Sequence, residues 1–463
     1  MAEEFDVIVI GAGPAGENAA GRCSEGGLST ALVEAELVGG ECSYWACMPS
    51  KTLLRPGEVL AAARRVPGAR EAVTGELDVD AALARRDRIV HHYDDEDQVK
   101  WVEEVGAELV RGHGRLAGER VVHAEGKDGT RRLTARRAVV VATGSAASIP
   151  PIPGLRDMRV WDSRAATAAK QVPRRLLVLG DGVVAVELGQ AWKRLGAEAV
   201  TIVSREGRLL SREEPFAGVE LRQVFEAEGI EVRCGTTVAA CRRAGKDGPV
   251  TLTLDDGSAL HGDELLVAAG RRPRTGDLGL DTVGLEPGGF VDVDDQLRAS
   301  GVPGGWLYAV GDANGRALLT HQGKYQARLC ADHILGKHVE AFADHRAVPR
   351  VMFTDPQVAA VGLTEQQARD QGIKVKVVTY PTGNVAGSAV AGQRPAGTSQ
   401  LVVDEDRKVV VGATFTGYSI AELLHSATVA VVGEVPLERL WHAVPSFPTV
   451  SEVWLRLLES YGL

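Results

Sequence analysis

Apolar residues in this chain fall in short unbroken runs that stop at glycine. Phe5-Asp-Val-Ile-Val-Ile10 runs into Gly11-Ala-Gly13-Pro-Ala-Gly16, and a stretch rich in small residues follows. Such a run predicts a strand buried on both faces in a parallel sheet, and the small residues predict a helix opening straight from the glycine turn. Ser29-Thr-Ala-Leu-Val-Glu34 predicts a second strand. The arrangement then recurs: Arg175-Leu-Leu-Val-Leu179 leads into Gly180-Asp-Gly182-Val-Val-Ala185, with a strand at Ala199-Val-Thr-Ile-Val203. Further buried strands are predicted at Ala138-Val-Val-Val-Ala-Thr143-Gly144-Ser145, at Glu264-Leu-Leu-Val-Ala-Ala-Gly270 and at Trp306-Leu-Tyr-Ala-Val310.

Strand, glycine turn and helix together make a dinucleotide-binding fingerprint, because glycine lets backbone N–H groups at the helix start approach a pyrophosphate. Glu34 ends the second strand roughly 20 residues after the first fingerprint, where an acid binds a ribose hydroxyl. Two such units imply two dinucleotides. Pro150-Pro-Ile-Pro153 is a stiff connector between them, and the later strands imply that the chain returns to its first domain. From about Ala347 the pattern changes to β-rich segments such as Lys374-Val-Lys-Val-Val-Thr379 and Lys408-Val-Val-Val-Gly412, with helices near 419–431 and 450–459. The expected fold is α/β: two Rossmann-like dinucleotide-binding domains, the second inserted in the first, plus a C-terminal α+β domain. The expected ranges are 1–150 and 276–346 for the first domain, 151–275 for the second and 347–463 for the third.

A content of 44% hydrophobic and 25% charged residues over 463 positions is that of an ordinary multidomain globular protein. A net charge of −10 disfavours nucleic acid or an anionic membrane as partner and leaves a small-molecule enzyme. No apolar run is long enough to span a bilayer and no basic leader precedes the first strand, so a cytoplasmic location is expected. Six cysteines are too few for a disulfide scaffold, and Cys23, Cys234, Cys241 and Cys330 have no near partner in sequence. Cys42 and Cys47 stand apart. They lie in Gly39-Gly40-Glu-Cys42-Ser-Tyr-Trp-Ala-Cys47-Met-Pro-Ser-Lys51, soon after the first fingerprint. Two thiols so placed can cycle between dithiol and disulfide. A metal is not expected, since no second Cys/His pair at ligand spacing accompanies them, and His91, His92, His113 and His321 show no such spacing either.

Over nearly its whole length the chain resembles the pyridine nucleotide-disulfide oxidoreductases, flavoproteins that include dihydrolipoamide dehydrogenase, glutathione reductase and mercuric reductase. The resemblance rests on the Gly11 fingerprint, the Cys42/Cys47 segment, Ala142-Thr143-Gly144, the Gly180 fingerprint with Glu187, Gly311-Asp312, and Phe353-Thr-Asp-Pro356 through Val361-Gly-Leu-Thr364. It implies FAD on the first unit, with Gly11, Gly13, Gly16, Gly40, Thr143 and Gly144 around it, Glu34 on the adenosine ribose, and Gly311 and Asp312 toward the ribityl-pyrophosphate part. It implies a nicotinamide cofactor on the second unit, near Gly180, Gly182, Gly270 and Arg271. It makes Cys47 the flavin-facing thiol, Cys42 the thiol that attacks substrate, and Lys51 and Glu187 an ion pair beside the reactive flavin nitrogen. It also implies a homodimer built on the C-terminal domain.

Two departures matter. In the second unit, the strand Ala199–Val203 ends at Ser204 rather than an acid, with Arg205 and Arg208 close behind, which favours NADPH over NADH because nothing repels the extra phosphate and a guanidinium can hold it. Relatives that reduce disulfides carry a His-Pro motif whose histidine pairs with a glutamate five residues later. Here Glu452 is present but the histidine position is Phe447. Mercuric reductase also has Phe-Pro there, yet it uses a C-terminal cysteine pair, and no cysteine follows Cys330. The remaining protonatable candidates are His442, His425, Glu452 and Tyr44. The expected activity is electron transfer from the nicotinamide through FAD and Cys42/Cys47 to a small disulfide. A quinone or other acceptor reduced directly by flavin is the second reading, and a redox-responsive binding protein the third.

Overall fold

The computed structural model describes residues 3–392 and 397–463; the reading of the N-terminus from its first two residues lies outside them. Strand Glu3–Ile10 lies between Thr30–Glu34 and Gly129–Val141, parallel to both. Val7, Ile8 and Val9 are fully buried, which is why this segment shows no polar alternation. Each such side chain contributes about 1.5–3 kcal/mol over an exposed one. The sheet continues through Glu108–Arg111 at one edge, while Val121–Gly126 and His113–Leu116 extend it antiparallel beyond Gly129–Val141. Leu307–Ala309 pairs in parallel with Val139, Val140 and Val141, so a segment from far along the chain completes this sheet. Helix Pro14–Glu25 lies on the sheet and packs along helix Thr320–Ile334.

The described residues cluster in two units. The first holds Met1–Pro49, Asp87–Ser148 and Arg271–His345, and the second holds Ser50–Arg86, Ile149–Gly270 and Arg346–Leu463. Within the second unit a parallel sheet runs in the order Ile230–Arg233, Ala199–Val203, Arg175–Leu179, Glu264–Val267. Beside it in sequence, Val238–Arg243, Val250–Leu254 and Ala259–Gly262 form an antiparallel ribbon of three strands. The C-terminal part is a five-stranded antiparallel sheet ordered Arg350–Met352, Gln357–Gly362, Val409–Gly417, Thr398–Asp404, Val375–Pro381, covered by helices Ile420–Val432 and Val453–Tyr461. The expected class is thus found: a mixed, mainly parallel sheet and a wholly parallel one, the second interrupting the first in sequence, and an α+β C-terminal part.

Both glycine turns are required by their surroundings. Gly11 has φ +100°, and a Cβ there would stand 2.5 Å from the Ala142 carbonyl oxygen. Gly180 has φ +133°, and its Cβ would meet the Ala268 oxygen at 2.3 Å. Only glycine tolerates both the dihedral and the approach.

Candidate active site

Cys42 sits in the short helix Gly40–Tyr44, and Cys47 opens the helix Cys47–Arg65. Both are free thiols. The Cys47 sulfur lies 3.3 Å from the hydroxyl of Thr320, the first residue of helix Thr320–Ile334. Cys42 is hydrogen-bonded to Cys47, and this bond together with burial pushes the Cys42 thiol far up, while Thr320 and the Lys324 ammonium oppose the shift. Cys47 meets a helix N-terminus, where partial positive charge favours a thiolate. The other cysteines behave as packing residues: Cys23, Cys241 and Cys330 are buried, and burial raises Cys23 to about 12 and Cys241 to about 11.

One turn along the Cys47–Arg65 helix stands Lys51. Its ammonium lies 2.7 Å from Glu187 Oε2, and Glu187 Oε1 accepts the Phe353 backbone N–H at 2.9 Å. The Glu187 side chain is 3% exposed and that of Lys51 32%. Lys51 also stands over the Phe353 ring, 5.2 Å from its centroid. A buried carboxylate with both oxygens engaged fixes its cation in one place while the cation keeps access to solvent on one side.

In the first unit, Gly13 caps helix Pro14–Glu25 with no side-chain cap, so the backbone N–H groups of its first turn remain open. Gly16 lies inside that turn and Gly40 packs on Gly13. Glu34 ends its strand and accepts the backbone N–H groups of Ala12 and Glu36, each at 2.7 Å. Thr143 and Gly144 follow strand Gly129–Val141. Gly311 and Asp312 form the turn after Leu307–Ala309, where Asp312 accepts the Ser145 hydroxyl. Arg271 donates to Ser145 Oγ at 2.6 Å and stands 3.6 Å from Asp312. The sequence grouped Arg271 with the nicotinamide residues; the structure places it with Asp312.

In the second unit, Gly182 caps helix Val183–Arg194, again without a side-chain cap and with open space where a Cβ would be. Ser204 is buried, and its Oγ accepts the Glu206 N–H at 3.0 Å. Arg208 donates to the carbonyls of Ser211 and Glu213 at 2.7 and 2.9 Å and so serves its own loop. Arg205 is 82% exposed, and its guanidinium lies 3.2 Å from Glu206. Of the two arginines, Arg205 is exposed and Arg208 half-buried. Gly270 follows strand Glu264–Val267 at φ +123°.

The C-terminal candidates are not assembled into an acid/base pair. Phe447 is 78% exposed, and His442 and His425 are exposed. Glu452 is buried, holding Arg456 at 2.7 Å and the Ala386 N–H at 3.3 Å. Tyr44 is fully buried, and its hydroxyl lies 3.1 Å from the Val38 carbonyl and 3.1 Å from Gln98 Oε1. Tyr44, one of the protonatable candidates, thus has its hydroxyl engaged by Val38 and Gln98.

Two family models match the chain. The pyridine nucleotide-disulphide oxidoreductase model covers residues 5–327, and the dimerisation-domain model of the same family covers residues 348–457. The chain belongs to the pyridine nucleotide-disulphide oxidoreductase family. Among its relatives are a mercuric reductase of Staphylococcus aureus, 30% identical over 97% of this chain and 81% of that protein, and dihydrolipoyl dehydrogenase 3 of Pseudomonas aeruginosa, 34% identical over 98% and 97%. Among solved structures, LpdA from Mycobacterium tuberculosis superposes with a TM-score of 0.87 at 25% identity over 100% of both chains. The Cu(II) complex of the HOCl-induced flavoprotein disulfide reductase RclA from Escherichia coli shares the fold, with a TM-score of 0.86 at 23% identity over 99% of each chain.

Pyridine nucleotide-disulphide oxidoreductases use FAD and a nicotinamide cofactor. The first unit fits FAD: the Thr143 hydroxyl is buried with no partner among the described residues, beside a helix start whose N–H groups no side chain caps. The second unit fits a nicotinamide dinucleotide at the open start of helix Val183–Arg194. Sequence reading missed three residues of the first unit. Thr320 touches Cys47, and Lys324 faces Cys42. The third is Glu17, half-buried in the first turn of helix Pro14–Glu25, where burial pushes its carboxyl up to about 7. An acid directly after the third fingerprint glycine was visible, since negative charge is out of place at a pyrophosphate-binding helix start.

Proposed function

We propose that this oxidoreductase is a homodimer that reduces a small-molecule disulfide with electrons from NADPH. The observation that carries this reading is the hydrogen-bonded Cys42/Cys47 pair, with Cys47 at a helix start against Thr320. FAD, when bound, supplies the two-electron link between the nicotinamide and the disulfide. Cys47 stands as the thiol toward the flavin and Cys42 as the thiol toward substrate. Lys51, fixed by Glu187, offers positive charge to the reduced cofactor. Residues 1–150 and 276–346 carry FAD, 151–275 carry NADPH through Arg205, and 347–463 dimerise. The six sparse cysteines suit a reducing cytoplasm, and no described helix is long and apolar enough to cross a membrane.

The test is anaerobic reduction of the holoenzyme by NADPH and by NADH, followed by mixing with disulfides. Reduction by NADPH should give thiolate-to-flavin charge-transfer absorbance, and Cys42→Ser should abolish disulfide turnover. A reduced state without that absorbance would remove Cys47 from its assigned place. The exposed Phe447 and the engagement of Glu452 with Arg456 favour a second reading, direct reduction of a quinone by flavin. Full turnover in both Cys42→Ser and Cys47→Ser would select it.

A further inference from the structure

Two helices of the second unit meet at more than the Lys51–Glu187 pair. About two turns beyond Lys51 on Cys47–Arg65, and beyond Glu187 on Val183–Arg194, stand Gly57 and Arg194. A Cβ on Gly57 would lie 2.8 Å from Arg194 Cδ, so the missing side chain gives Arg194 room against the neighbouring helix. Arg194 then donates to Asp355 Oδ2 at 2.9 Å, and Arg65, the last residue of Cys47–Arg65, donates to the same oxygen. Glu228 holds Arg194 from its other side, 3.0 Å from Nε. One carboxylate therefore ties the ends of both helices.

Glu187, Gln190 and Arg194 follow one another at spacings of three and four residues and so share one face of their helix. Each takes hold of the segment Phe353-Thr354-Asp355, which was among the sequence motifs but had no role. Glu187 Oε1 accepts the Phe353 N–H at 2.9 Å. Gln190 accepts the Asp355 N–H at 2.8 Å and donates to the Asp355 carbonyl at 2.9 Å, and Arg194 reaches the Asp355 carboxylate. Gln190, Thr354 and Asp355 are buried, so water competes little for these bonds. The segment lies within the span matched by the dimerisation-domain model, so a stretch of that domain braces a helix of the nucleotide-type sheet.

We propose that Gln190 and Asp355 are positioning residues: by fixing the Phe353 N–H they hold Glu187, and through it the Lys51 ammonium that serves the reduced flavin. The inference rests on the role given to Lys51 above. A lysine is a point charge on a flexible four-carbon stem, so its field at any atom is only as well defined as the place of its partner. Glu187 gives one oxygen to Lys51 and the other to a backbone N–H. That N–H holds the carboxylate only while its own segment stays in place. The paired bonds of Gln190 to the Asp355 backbone, and the seating of the Asp355 carboxylate between two guanidiniums, remove the segment's freedom to move.

The test uses holoenzyme carrying Gln190→Met, which keeps the side chain's length but makes no such bonds, and holoenzyme carrying Asp355→Asn, which keeps its shape and loses its charge. The flavin potential is read in the dithiol enzyme against a dye of known potential. Each variant should shift the two-electron equilibrium toward oxidised flavin about tenfold, which is about 30 mV. Acetylation of Lys51 by acetic anhydride, read by peptide mass, should rise severalfold in both. In a Lys51→Met background, where the potential is already lowered, Gln190→Met should add nothing. Wild-type potential and wild-type labelling in both variants would overturn the proposal, as would a shift equally large with and without Lys51. If Lys51→Met alone leaves the potential unchanged, the role of Lys51 toward the flavin falls, and the labelling by itself decides whether Gln190 and Asp355 hold the lysine in place.

Discussion

Tyr44 lies two residues from Cys42, yet its hydroxyl is engaged elsewhere. It bonds the Val38 carbonyl and Gln98, and its ring meets Trp45 at 5.5 Å. Its removal as Tyr44→Phe should cost about 1–2 kcal/mol of stability, seen as a lower urea midpoint, with the rate of disulfide reduction unchanged. Glu17 has the opposite profile. Burial raises its carboxyl in the folded chain to about 7, above the ordinary 4.5 of the unfolded chain. The folded state therefore binds the proton more tightly, and the stability this gives is full below pH about 4.5 and is lost as pH rises through about 7. The loss is at most about 3 kcal/mol, so Glu17→Gln should stabilise the protein at pH 8 and leave it nearly unchanged at pH 4. Equal denaturation midpoints for the two proteins at pH 8 would contradict the burial of this acid.

At the scale of elements, the sequence announced both glycine turns because their requirement is local: a positive φ and a carbonyl within contact distance admit only glycine. The thiol pair was legible for the same reason, through its spacing and its flanking residues. Thr320 was not, since what brings it to Cys47 is packing between segments 273 residues apart that no local pattern encodes. Arg205 and Arg208 looked equivalent in sequence, and only the loop's own carbonyls separate them. Arg205→Ala should therefore raise KM for NADPH about tenfold or more and leave KM for NADH unchanged. Arg208→Ala should instead lower stability. Gly180→Ala should leave FAD content intact while hydride transfer from either nicotinamide falls, as stopped-flow reduction of the flavin would show.

At the scale of the whole molecule, the C-terminal part presents apolar side chains to water. Val429 and Val432, 54% and 44% exposed, lie on the helix Ile420–Val432, and Val444 and Phe447 are 85% and 78% exposed. Such a surface on the segment matched by the dimerisation-domain model is where a second copy belongs. The double change Val429→Asp with Val432→Asp should shift the sedimentation coefficient from dimer to monomer at micromolar concentration, and an unchanged dimer would place the interface elsewhere.

The strand Leu307–Ala309 completes a sheet begun some 300 residues earlier, and this bears on how the protein is born. On the ribosome, the end of this strand at Val139, Val140 and Val141 waits without its Leu307–Ala309 partner while the whole Ile149–Gly270 segment is synthesised. An open, valine-rich edge is a template for foreign strands. Nascent chains halted before Leu307 should thus bind chaperones and aggregate, whereas those released after Ala309 have emerged should not.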